Sequence, residues 1–151
     1  MTPVLDLFET HLTVTDLNRS IQFYRDVLGL TLAREFPERQ AALFWIGGHG
    51  KAMLGLWAGG YGPQKMTLHT AFRVSIEAVV AASRSLRAAG IKPLDFDGRP
   101  TDEPSVLAWM PAVSLYFHDP DGNLLEYIAM LPQDPRPELG VVKWSEWRPS
   151  E

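Results

Sequence analysis

The chain carries one alternation pattern twice. From Glu9 to Val14 polar and apolar positions alternate, with Glu9, His11 and Thr13 on one face and Leu12 and Val14 on the other. That is the period-two signature of a half-buried strand. Asp16 then has the chemistry of a helix N-cap. Leu17, Ile21, Tyr24 and Leu28 follow at helical spacing, and Gly29 stands at the position that closes a helix. Strands are predicted at Leu30–Phe36, Ala41–Ile46 and Ala52–Trp57, separated by Pro37 and by the Gly47-Gly48-His49-Gly50 run. Residues 8–58 thus read as a β-α-β-β-β module.

Residues 67–131 repeat the plan. A strand at Leu68–Val74 leads to a helix from Ile76 to Ala89, ended by Gly90, and further strands are predicted at Ile91–Leu94, Ser114–His118 and Leu124–Met130. Asp119-Pro120-Asp121-Gly122-Asn123 is a hairpin turn, too short to cage a calcium ion with six or more oxygens. Two stretches stand outside the repeat. Asp95–Ala112 contains Gly98, Pro100, Pro104 and Pro111 and reads as a long loop, of the kind used as a lid or binding segment. The tail 132–151 carries Val141, Val142, Trp144 and Trp147, too apolar to be left in water; it is expected to dock on its own core or on a partner subunit. The expected fold class is α+β: one domain, 1–151, made of two βαβββ modules.

The repeat gives the ionisable residues meaning. His11, His69 and Glu126 each sit in an apolar strand, and aligning the modules sets His11 opposite His69. A lone strand histidine is usually just hydrogen-bonded. Two at equivalent positions, with a carboxylate on a third strand, make the two-imidazole, one-carboxylate set that binds a divalent metal and leaves positions open. An unpaired carboxylate on an inner sheet face would cost several kcal/mol, an objection that coordination removes. Counting four residues on from the turn glycine takes Gly122 to Glu126 and Gly50 to Leu54, so the first module offers no matching carboxylate and a three-ligand catalytic centre is expected. Ligand chemistry favours Mn²⁺, Fe²⁺, Ni²⁺ or Zn²⁺, one ion per site.

The neighbouring residues read two ways. Glu9 shares the face of His11 and is either a partner fixing the ring tautomer or a strand-end salt bridge. Arg73, on the face of His69, either meets an anionic substrate or pairs with Glu9. His118, before the turn and off the ligand register, reads as structural and His49 as solvated; Glu35 and Glu38 read as surface charge rather than a general base. Trp45, Trp57, Trp109 and Tyr116 sit at strand positions that either line a cup or fill the core.

Composition narrows the partners. The 151 residues are 46% hydrophobic and 21% charged with a net charge of −4, and no basic run exists, so nucleic acid and anionic membranes are not expected partners. The absence of cysteine removes thiolate sites and disulfides. MTPVLDLFET has neither a basic n-region nor a long apolar stretch, and no segment approaches the roughly 20 apolar residues of a membrane span. A cytoplasmic location is the default expectation.

The segments HLTVTDLNRSIQFYRDVLGL at 11–30, HTAFRV at 69–74 and FHDPDGNLLEYI at 117–128 resemble the vicinal oxygen chelate superfamily, which includes glyoxalase I, extradiol dioxygenases, fosfomycin-resistance enzymes and bleomycin-binding proteins. The resemblance spans residues 8–131. It implies paired βαβββ modules whose curved mixed sheets form a cup around a metal, with ligands falling on His11, His69 and Glu126. The first strand and Leu68-His69-Thr70-Ala71-Phe72 are most similar to the fosfomycin-resistance branch, where Thr13 would correspond to a threonine contacting substrate. The Tyr, Ser and Lys set that grips a phosphonate in that branch has no counterpart in Asp95–Ala112, where Lys92, Arg99 and Ser105 are the only nearby candidates. Glyoxalase I would supply four ligands, and Leu54 removes one. A homodimer is expected; in such dimers modules can pair across the subunit boundary, so the site is completed either within one chain or by His69 joining His11 and Glu126 of the other chain. The expected function is a metal-dependent lyase, transferase or dioxygenase acting on a small oxygen-rich molecule, with Thr13 and Arg73 at the substrate. The alternative is a metal-free drug-binding protein of the bleomycin-resistance type, against which all three ligands stand.

Overall fold

The computed structural model describes residues 5–60 and 66–147. The chain divides into two compact units, 1–68 and 69–151, and each is a βαβββ module.

In the first module β1 (Glu9–Thr13), α1 (Leu17–Gln22), β2 (Thr31–Phe36), β3 (Ala41–Ile46) and β4 (Ala52–Trp57) build a four-stranded sheet of order β1-β4-β3-β2. The first and last strands lie side by side and parallel; the other neighbours are antiparallel. Asp16 caps α1 by accepting the Arg19 N–H at 3.0 Å. The helix is shorter than its apolar spacing predicts, because Phe23–Val27 widen into a turn of π-helix before Gly29 reverses the chain at φ 71°. The strands alternate as the sequence does. Leu12, Val14, Phe44, Leu54 and Leu56 are buried under Ile21, Phe23 and Tyr24, and the opposite face carries Glu9, His11, Thr13, Met53, Gly55 and Trp57.

The second module contains β5 (His69–Arg73), α2 (Ile76–Ala88), β6 (Ser105–Leu107), β7 (Ala112–His118), β8 (Leu124–Met130) and β9 (Val141–Lys143), in the order β5-β8-β7-β6-β9. Val79, Ala82 and Leu86 of α2 cover Val113, Leu115, Phe117 and Leu125. The other face carries His69, Ala71 and Arg73 of β5, Glu126 of β8, and Ser114 and Tyr116 of β7.

The expected hairpin turn is present. Buried Asp119 accepts the N–H groups of Asp121 and Asn123 at 2.9 and 2.8 Å, and Gly122 takes φ 85°. Three expectations are corrected. Ile91–Leu94 is not a strand; only Leu94 bridges, to Pro100 and Tyr116. Asp95–Ala112 is not all loop: Ser105–Leu107 form β6, whose ladder satisfies backbone groups that would otherwise be buried unpaired. Strand β7 accordingly begins at Ala112, two residues before the expected start. The tail docks on its own module, with β9 added to the edge of β6 and Trp147 buried beneath the Arg136 guanidinium, 3.8 Å from its ring centroid. No helix among the described residues is long and apolar enough to cross a membrane.

Candidate metal centre

Each module brings one histidine against one carboxylate. In the second, Nε2 of His69 lies 3.0 Å from Oε2 of Glu126. The imidazole is half exposed while the Glu126 side chain is 7% exposed, so a buried charge is presented to solvent through one accessible ring. The other carboxylate oxygen, Oε1, accepts the Ser114 hydroxyl at 2.5 Å. Ser114 is fully buried, and its alternation with Tyr116 along β7 aims both side chains at Glu126. Burial, and secondarily the Glu126 charge, push the Tyr116 phenol up to about 12.

In the first module, His11 Nε2 lies 2.6 Å from Oε1 of Glu9, and the Trp57 indole N–H donates to His11 Nδ1 at 2.5 Å. The ring rests on Gly55, its cross-strand neighbour in β4. A Cβ at Gly55 would collide with it, so the glycine is the seat of the imidazole. Among the described residues no group of three His, Asp or Glu side chains converges as a metal would require; these histidines and carboxylates stand as pairs.

This geometry tests the predicted site residue by residue. His69 and Glu126 share one module and one contact. His11 is engaged by Glu9 and Trp57. Thr13 lies on the His11 face, beside Trp57 in the ladder, and Arg73 is exposed on the His69 face. Arg73 makes no ion pair among the described residues, and Glu9 pairs with His11 instead. Trp109 and His118 are exposed, and Glu35 and Glu38 lie at the surface.

Leu54 is the wrong counterpart of Glu126. The Val14 N–H bonds the Trp57 carbonyl and the Val74 N–H bonds the Ile128 carbonyl, so these ends correspond. The ladders then match Gly55 with Glu126, Glu9 with His69, and His11 with Ala71. Counting from the turn glycines was one residue out, and one residue reverses the face of a strand. Leu54 is fully buried in the core. Matching His11 to His69 was two residues out, which preserved the face and concealed the error. Sequence reasoning missed Ser114 and Gly55; a serine inside the apolar run AVSLYF and a glycine inside AMLGLW were the available signals.

The paired modules, with a His–carboxylate pair on one face of each sheet, are the arrangement of a known class. Residues 6–127 match the sequence model of the Glyoxalase/Bleomycin resistance protein/Dioxygenase superfamily, and the chain belongs to that superfamily. It is 32% identical over 132 residues to a lactoylglutathione lyase of Haemophilus influenzae, an alignment covering 82% of this chain and 92% of the relative. It is 33% identical over 131 residues to a lactoylglutathione lyase of Escherichia coli O157:H7, covering 81% and 90%. Among solved structures, an integron cassette protein from the mobile metagenome of a Halifax Harbour sewage outfall superposes with a TM-score of 0.69 at 29% identity, covering 84% of this chain and 100% of that one. A lactoylglutathione lyase from Agrobacterium tumefaciens superposes at 0.63 with 25% identity, covering 84% and 95%.

Proposed function

We propose that the protein is a divalent-metal-dependent lyase of the glyoxalase type, acting on a lactoylglutathione-like thioester or its oxygen-rich precursor. The observation that carries this reading is the His69–Glu126 contact at 3.0 Å, with the second carboxylate oxygen already engaged by Ser114. An imidazole nitrogen and a carboxylate oxygen at one edge, with the carboxylate held from behind, fit a borderline cation such as Zn²⁺, Ni²⁺, Fe²⁺ or Mn²⁺. The first module contributes the Glu9 carboxylate, with His11 Nε2 2.6 Å from its Oε1, as a further donor in this reading. A metal held there would supply Lewis acidity and stabilise negative charge developing on the substrate's oxygens.

The chain's own side chains do the rest. Ser114 fixes the rotamer of Glu126 and keeps Oε2 toward His69. Tyr116 offers a neutral hydroxyl beside the carboxylate, protonated at neutral pH as an ordinary tyrosine is. Arg73, exposed on the same face, receives an anionic end of the substrate, and Thr13 contacts the substrate from the first module. The test is isomerisation of the hemithioacetal of glutathione and a 2-oxoaldehyde to a lactoylglutathione-type thioester, by protein stripped of metal and then reconstituted singly with each of the four ions. Thioester formation restored by one or more ions supports the reading. No turnover with any of them, in protein shown to have bound metal, refutes this substrate class.

A further inference from the structure

Trp57, His11 and Glu9 form a directional chain. An indole N–H can only donate, so the Trp57 contact makes Nδ1 of His11 an acceptor. A neutral imidazole with Nδ1 accepting carries its proton on Nε2, and that nitrogen faces Oε1 of Glu9 at 2.6 Å. Nε2 therefore donates to Glu9. It has no lone pair to give a metal unless its proton moves to Nδ1 and the Trp57 bond breaks. The ring is packed over Gly55, where a Cβ would collide with it, and Leu43 closes on the same space.

The two modules differ in this respect. His69 has a half-exposed ring and no indole behind it, whereas His11 is gripped from behind. The matched ladders also put Glu9, not His11, at the strand position of His69. We infer that Glu9 is the donor the first module offers the metal, and that His11 is a positioning residue whose tautomer, fixed by Trp57, holds the Glu9 carboxylate in place. The inference rests on the metal reading above but makes a separate claim about His11. The family resemblance named His11 as the ligand; here its imidazole stands behind a carboxylate ligand.

Long-range ¹H–¹⁵N correlation of the histidine rings, without metal and then with zinc, reads the claim directly. His11 is expected with Nε2 protonated and Nδ1 bare in both states, while the His69 ring nitrogens shift on zinc addition. Loss of the His11 Nε2 proton on zinc binding, with its ring shifting as His69 does, overturns the inference. Zinc titrations of full-length variants supply the second readout. Glu9→Gln is expected to weaken zinc most, and Trp57→Phe, which removes the indole N–H and keeps a smaller aromatic ring, by about 10–100-fold. A Trp57→Phe protein that binds zinc as the wild type does, with the His11 tautomer unchanged, refutes the positioning role. So does a Glu9→Gln protein of unaltered affinity. Amide spectra confirm that each variant is folded. Wild-type protein that takes up no zinc refutes the metal reading instead, and with it the assignment of Glu9 as donor; the tautomer in metal-free protein still tests the role of Trp57.

Discussion

Replacing Ser114 by Ala isolates the support behind the carboxylate. The substitution keeps Cβ and removes only a hydroxyl, so packing is nearly unchanged. What is lost is the 2.5 Å hydrogen bond to Oε1 of Glu126, whose carboxylate is buried. A hydrogen bond to a charged group is worth about 1.5–3 kcal/mol, and the abandoned oxygen cannot reach water in compensation. The expected destabilisation at pH 7 is therefore about 1.5–3 kcal/mol, or about 3–12 °C in Tm for a chain of this size. The same loss frees the Glu126 rotamer, and metal affinity should fall about 10–100-fold, as it does when groups that orient a ligand are removed. Urea unfolding of metal-free protein gives the first quantity and calorimetric zinc titration the second. A stability change within about 0.5 kcal/mol together with unchanged affinity would refute the reasoning, since surface-like tolerance is incompatible with a buried carboxylate whose Oε1 accepts from Ser114.

Three further outcomes are expected. Alkaline spectrophotometric titration of the metal-free protein should show a tyrosine ionising near pH 12, assigned by its loss in Tyr116→Phe. Between the ordinary tyrosine value of 10.0 and about 12 the folded state keeps a proton that the unfolded state has lost. Stability from this group is thus complete below pH 10 and declines as pH rises through that window; a Tyr116 phenol titrating at 10 refutes the burial argument. Asp119→Ala removes the acceptor for Asp121 N, Asn123 N and Asn123 Nδ2 in a buried turn and should cost about 2–4 kcal/mol in chemical denaturation; a loss below about 1 kcal/mol would mean that the hairpin holds its register without it. Arg73→Ala should raise KM for an anionic thioester several-fold with kcat preserved, whereas an unaltered KM returns Arg73 to a purely surface role.

Much of this fold could be read in advance because its signals are local. Alternation at Glu9–Val14, the Asp16 cap and the Asp119–Asn123 turn act within a few residues, and each is found where the pattern places it. Strand β6 was hidden because Ser105–Leu107 lie among prolines and pair only with distant partners in β7 and β9. The Glu126 pair was half legible. The carboxylate and His69 stood out as ionisable groups in apolar strands, but Ser114 becomes visible only once the β7–β8 register is known. Leu54 was the instructive failure: loop length shifts a count by one, and strands convert that shift into the wrong face.

The central claim is that His69 and Glu126 hold a metal, and elemental analysis of natively purified protein tests it most directly, with His69→Ala prepared in parallel. The account predicts about one divalent transition metal per site in the wild type and a large loss in the variant. Wild-type protein without metal, even after reconstitution with zinc, nickel, iron and manganese, or a His69→Ala protein with full occupancy, would contradict it.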